Sequence, residues 1–188
     1  LDGDGNQAAR LRVPTPQGQY EQTVQAVTQL VRELDDVAQR TPRGTTQRAT
    51  ATKPTIGVGI PGTISPQTGL VKNANSICLI GNPLNVDLER AIGRPVKMSN
   101  DADCFAVSEA VDGAAKGAHV VFGVILGTGT GSGICVAGKP IQGPNSVAGE
   151  WGHNPLPWPR DDERPGPKCY CGKSGCIETF LSGPGLKN

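Results

Sequence analysis

Between residues 17 and 40 apolar side chains recur every three or four positions, at Tyr20, Val24, Val27, Leu30, Val31, Leu34, Val37 and Ala38, and this period predicts an amphipathic helix. Residues 41–54, rich in Thr, Arg, Gly and Pro, lose the period and read as an exposed loop. Beyond them the pattern changes to short apolar runs bounded by turn residues. Residues 55–60 predict a buried strand that delivers Pro61-Gly62-Thr63 to its end, and Ser65-Pro66-Gln67-Thr68-Gly69 supplies turn chemistry. A short helix is expected over 85–92, stopped by Gly93, then a strand over 95–99 and a helix over 104–111. Residues 120–126 form the most apolar stretch. Gly127-Thr128-Gly129-Thr130-Gly131-Ser132-Gly133 and a second apolar run, 134–138, follow it, which predicts a hairpin with a glycine-rich tip. At the start, residues 9–13 alternate like a strand after the turn-like Asp2-Gly3-Asp4-Gly5-Asn6, so a hairpin lacking its first strand is expected there.

Composition narrows the class. With 188 residues, a hydrophobic fraction of 36%, 26 glycines and 16 prolines, the chain suits one large or two small domains with many turns, not a helical bundle. A formal net charge of +1 without a long basic run gives no ground to expect nucleic acid or an anionic membrane as partner. No run approaches the length of a membrane span and the polar start is no signal peptide, so a soluble cytoplasmic protein is the default expectation.

Cysteine is used unevenly. Cys78, Cys104 and Cys135 stand alone, whereas Cys169, Cys171 and Cys176 cluster in Cys-x-Cys-x4-Cys, and His153 precedes them across a Pro-rich, charged excursion. One histidine and three thiolates can close a tetrahedral structural zinc site, filling the position that a catalytic zinc keeps open. The alternative is a set of reduced thiols without a ligand. Glu150, His153 and Glu178 flank this set, and the second ring nitrogen of a metal-bound His153 could face a ligand. Asp101, in Asn100-Asp101-Ala102-Asp103, falls where a strand passes into a helix, either as a helix cap or as a functional carboxylate. The glycine tip could hold a phosphate or be a plain hairpin; it lacks the Lys of a P-loop and does not open a helix as a dinucleotide fingerprint does. His119 reads as a surface or edge residue.

Ile60-Pro61-Gly62, Asn100-Asp101-Ala102, the glycine-rich run from Leu126 to Gly133, Glu150-Trp151-Gly152-His153 and the cysteine motif ending in Ile177-Glu178 together resemble the ROK family of bacterial sugar kinases and repressors. Val71-Lys72-Asn73-Ala74-Asn75 and Gly152-His153-Asn154-Pro155-Leu156-Pro157-Trp158 are most similar to the fructokinase and mannokinase branch. The resemblance implies an α/β, actin-like (ribonuclease H-like) two-lobed fold, with residues 1–111 in one lobe and 112–188 in part of the other. It implies ATP-dependent phosphorylation of a hexose, D-fructose first, with mannose, glucose or an N-acetylhexosamine as alternatives, and a sugar-responsive repressor as a different function. Asp101 would be the general base; Gly62, Thr63, Asn100, Glu150, His153 and Glu178 would bind sugar; Gly127, Thr128, Gly129 and Gly131 would bind ATP, brought with Mg²⁺. His153, Cys169, Cys171 and Cys176 would hold Zn²⁺, and the family commonly dimerises. Kinase members open with an Asp-x-Gly-Gly-Thr strand and continue beyond a point equivalent to residue 188. The sequence is therefore expected to be incomplete at both ends and weak or inactive when isolated.

Overall fold

The computed structural model describes residues 1, 5–40 and 54–187. The chain divides into two compact units, residues 1–64 with 68–98 and residues 65–67 with 99–188. The expected loop at 41–54 lies, but for Pro54, outside the described residues, as does most of the turn at 2–6. Residues 9–13 form no strand: no described segment pairs with them, and Leu11 and Val13 are exposed. Alternation places apolar groups on one side of a chain, but without a neighbour to take up its N–H and C=O groups the segment has no ladder to join.

In the first unit α1 (Tyr20–Arg40) is followed by β1 (Ile56–Ile60), the short strands β2 (Thr63–Ile64) and β3 (Val71–Lys72), α2 (Leu84–Ile92) and β4 (Val96–Asn100). β1 pairs with β4, and β2 pairs antiparallel with β3. The periodicity of α1 has a direct structural result: Tyr20, Val24 and Val27 pack on a core of Ile60, Val71, Ala74, Leu79, Leu84, Leu88 and Val96. Two polar ties fix the helix, the Tyr20 hydroxyl donating to Asp87 at 2.6 Å and Arg94 pairing with Asp35 at 2.7 Å. α2 ends at Gly93, whose left-handed backbone lets its N–H reach the Glu89 carbonyl at 2.8 Å.

β4 carries the chain into the second unit, where α3 (Asp101–Val111) begins at once, three residues earlier than its apolar positions predict. An antiparallel sheet follows, in the order β5 (Val120–Leu126), β6 (Thr130–Val136), β7 (Lys139–Pro140). The last elements are 3-10 turns at Trp151–His153 and Asp161–Glu163 and the short helices α4 (Glu178–Leu181) and α5 (Gly183–Lys187). The glycine-rich tip is shorter than the sequence suggests. Leu126 already faces Thr130, so the turn is Gly127-Thr128-Gly129, while Gly131 and Gly133 lie within β6 opposite Ile125 and Gly123.

The reason is packing. α3 lies across β5 and β6 with Ala102, Asp103 and Ala106 buried, and a methyl group on Gly133 would run into the Ala102 carbonyl. Ala106, Val121 and Cys135 form the second unit's own core. Since that core is built from α3 and the sheet, the contacts divide the chain before α3, at 98 and 99, whereas the sequence reading divides it after residue 111. On the other face of β5 Val120, Phe122, Val124 and Leu126 are exposed, with Phe122 meeting the Trp151 ring edge to face.

Candidate functional site

The second unit brings most of the singled-out residues together, beginning at the start of α3. Asn100 is the helix cap: its Oδ1 accepts from the Ala102 N–H at 2.9 Å and the Asp103 N–H at 3.3 Å. The capping role open to Asp101 is thus taken mainly by its neighbour, although Asp101 Oδ1 also lies 2.9 Å from the Ala102 N–H. Asp101 is exposed in the first helical turn. Asp103 is buried on the same turn, and its carboxyl is pushed up to about 6 by loss of hydration and by the negative charges of Glu150 and Asp101.

Glu150 opens the 3-10 turn of Trp151–His153. That turn lies directly on β6: the Ser132 hydroxyl donates to the Gly149 carbonyl at 2.7 Å, and a methyl on Gly152 would overlap the Thr130 carbonyl. Burial raises the Glu150 carboxyl first; His153 opposes this, and the charges of Glu178 and Asp101 add to it. Glu150 is open to water as a residue, so the crowding acts at its carboxyl group. The charge of Asp101 thus reaches both Asp103 and Glu150, and that of Glu178 reaches Glu150.

Glu178 is the first residue of α4. Its Oε2 accepts from the Thr130 N–H at 2.8 Å, and its Oε1 lies 3.9 Å from Cys169 Sγ. This carboxylate links the end of the cysteine motif to the start of β6.

His153 Nδ1 and the sulfurs of Cys169, Cys171 and Cys176 all lie within 4.8 Å of one another. Cys169 Sγ is 3.5 Å from Nδ1, and Cys171 and Cys176 are 3.6 Å apart, sulfur to sulfur. A tetrahedron built on Zn–S of about 2.3 Å and Zn–N of about 2.0 Å has edges of about 3.8 Å between sulfurs and about 3.5 Å from sulfur to nitrogen. The donors are of the kind and number that one such ion takes, and two of their separations match these edges, while the others extend to as much as 4.8 Å. All six cysteines are free thiols. The other ring nitrogen of His153, Nε2, meets the Tyr170 hydroxyl at 3.0 Å, and the two rings meet edge to face.

Gly62 and Thr63 belong to the first unit, where a methyl on Gly62 would sit 2.7 Å from the Lys72 carbonyl oxygen. Gly127, Thr128 and Gly129 form the hairpin turn, and Gly131 is in β6. A methyl at Gly127 or Gly131 would touch nothing, whereas one at Gly129 would press on Glu178. His119 is exposed at the foot of β5. Sequence reasoning assigned nothing to Tyr170 and Thr130 and used Asp103 only as a surplus carboxylate. Tyr170 had one signal, its place between Cys169 and Cys171. Thr130, whose buried Oγ1 has no partner among the described residues, had none.

The sequence profile of the ROK family matches residues 1–188. The chain belongs to the ROK family. It is 38% identical over 191 aligned residues to an N-acetyl-D-glucosamine kinase of Pectobacterium atrosepticum, covering 100% of this chain and 59% of that protein. It is 40% identical over 179 residues to an N-acetyl-D-glucosamine kinase of Escherichia coli O127:H6, covering 93% and 55%. Its structure is similar to that of a ROK family glucokinase from Streptomyces griseus, crystallised in complex with glucose and AMPPNP. That likeness has a TM-score of 0.76 and 30% identity, covering 99% of this chain and 53% of the other. The ROK chain thus has the mixed α/β, actin-like fold of the family and spans somewhat over half the length of these curated relatives. No described helix is long and apolar enough to cross a membrane.

Proposed function

We propose that this ROK protein transfers the γ-phosphoryl group of ATP to a hydroxyl of an aldohexose, with N-acetyl-D-glucosamine as first candidate and D-glucose as second. The observation that carries the reading is the grouping of Asp101, Glu178 and His153 about Glu150, with His153 and Glu178 beside the cysteine cluster, in a chain 38% identical to an N-acetyl-D-glucosamine kinase. The relatives named above favour an aldohexose or its N-acetylated amine over D-fructose, and a kinase over a repressor.

Asp101 takes the proton of the attacking hydroxyl. The Asn100 cap fixes the start of α3 and so where that carboxylate stands, and a base within hydrogen-bond reach contributes about 100- to 10,000-fold. Glu150 and Glu178 accept from neighbouring sugar hydroxyls. His153 Nε2 is shared with the Tyr170 hydroxyl, so a sugar oxygen reaching that nitrogen must join or displace Tyr170. Asn100, which caps α3 through Oδ1, is a further sugar contact beside Asp101.

Gly127 and Thr128 of the turn and the adjoining Gly131 form the side facing ATP, supported by the open space over Gly127 and Gly131; the Gly127 N–H already donates to the Gly129 carbonyl at 2.9 Å, and Gly129 itself faces Glu178. Mg²⁺ brought with the nucleotide supplies charge neutralisation, which with positioning is most of what phosphoryl transfer requires. His153, Cys169, Cys171 and Cys176 would hold Zn²⁺, which supplies a fixed tetrahedral anchor.

The test is Asp101→Asn assayed with ATP across N-acetyl-D-glucosamine, D-glucose, D-mannose and D-fructose. Transfer should fall by about 100-fold or more with sugar affinity little changed. Retained turnover would remove Asp101 from the role, and a preference for D-fructose would overturn the substrate assignment.

A further inference from the structure

Three glycines of the hairpin look equivalent in sequence, but only one is under steric demand. A methyl added at Gly127 or Gly131 meets nothing, whereas one at Gly129 would lie 2.6 Å from Glu178 Oε2 and 3.5 Å from its Cδ. The same oxygen accepts from the N–H of the next residue, Thr130, at 2.8 Å. A bond from an amide to a carboxylate is among the stronger kinds. The backbone of Glu178 is fixed from the other side: Cys176 and Ile177 before it are buried, and the Ile177 N–H donates to the Asn154 carbonyl at 2.9 Å. The hairpin turn and the segment after Glu178 are joined again where the Gly183 N–H meets the Gly127 carbonyl at 2.7 Å.

We propose that the bare Cα of Gly129 and the amide of Thr130 form a seat for the Glu178 carboxylate, which makes Gly129 a positioning residue for the sugar. The proposal rests on the reading of Glu178 as a sugar ligand. The carboxylate is the far end of a flexible side chain, so a methyl at Gly129 would not break the fold. It would turn the carboxylate away from the Thr130 N–H and out of the place where it meets a hydroxyl. The glycine turn then serves both substrates: Gly127 and Thr128 lie open to the nucleotide, and Gly129 backs the sugar.

Calorimetric titration of full-length Gly129→Ala with N-acetyl-D-glucosamine, D-glucose and ATP separates the roles. Sugar Kd should rise about tenfold, the loss of one charge-assisted bond, with ATP Kd changed less than about twofold and the thermal midpoint nearly unmoved. In a Glu178→Asp background, whose carboxylate stops one methylene short of Gly129, adding Gly129→Ala should cost no further sugar affinity. The proposal is overturned if Gly129→Ala weakens ATP and spares sugar, or if it spares sugar where Glu178→Ala does not. If Glu178→Ala leaves sugar binding intact, or the wild type binds neither sugar, the ligand reading itself fails and the seat has no function to serve.

Discussion

Asp103 is the side chain whose surroundings suit its charge least. It is 6% exposed, lies in the first turn of α3 with Asp101, and has its carboxyl raised from 3.8 to about 6, chiefly by burial and then by Glu150 and Asp101. An acid raised in this way binds more protons folded than unfolded. Its stabilising contribution is complete below about pH 3.8 and is lost as pH rises through about 6. Asp103→Asn keeps the shape and removes the charge, so at about pH 8 the variant should be more stable than the wild type by about 1–3 kcal/mol. Near pH 4 the two should be nearly equal. Urea midpoints measured at both pH values check this, and equal stability at the higher pH would mean that the charge on Asp103 costs nothing. Asn100-Asp101-Ala102-Asp103 announces a surplus of acid in the sequence, but only the packing of α3 on Gly133 shows which carboxyl is buried.

Among the elements, the β5–β6 hairpin shows most clearly what patterning can and cannot reveal. Its existence is legible, because two apolar runs flank a cluster of glycines, and so are α1, α2 and β1, whose periods and stop residues agree with the helices and strand formed. The purposes of the glycines are not legible. Gly133 admits α3, Gly152 admits the Thr130 carbonyl, Gly129 admits Glu178, and Gly131 admits nothing. These demands come from chain segments between 22 and 49 residues away in sequence, which no local pattern records. The candidate metal-ligand set is the opposite case. Thiolate and imidazole groups have few other reasons to cluster, so the residue types disclose it, while the hydrogen bond of Tyr170 to His153 rests on how the motif curls. The steric contrast is directly measurable. Gly152→Ala should cost about 3 kcal/mol, since both the glycine and the carbonyl it strikes are backbone that cannot swing aside. Gly131→Ala should stay within about 0.5 kcal/mol of the wild type. Denaturant titration of the pair decides the matter, and equal losses would show that the sheet is generally intolerant instead of pressed at one point.

For the whole molecule the two units differ in what holds them. The first has an aliphatic core centred on the fully buried Leu88. The second has a smaller core under α3, and its region from Glu150 to Gly183 buries little beyond Cys169, Cys176 and Ile177. Backbone bonds tie that region together, among them Leu156 N–H to Gly175 at 2.9 Å, Cys169 N–H to Lys173 at 2.8 Å and Ile177 N–H to Asn154 at 2.9 Å. Such bonds add little net stability where water can compete for the same groups. With so little apolar surface buried, a bound metal would contribute most of the order there, because the free energy of binding a structural ion is folding free energy for the loop that carries its ligands. Removing the ion with a strong chelator, or replacing Cys176 with Ser, should therefore speed hydrogen exchange at the Leu156, Cys169, Gly175 and Ile177 amides by about 100-fold, while the amides of α2 around Leu88 keep their protection. Metal content of the untreated protein should be close to one zinc per chain. Exchange that is unchanged on chelation, or lost equally around Leu88, would mean that the loop stands without the ion. If protection is lost only between Glu150 and Gly183, then Glu150, His153 and Glu178 lose their fixed places together, and sugar affinity should fall in the same titration that removes the metal.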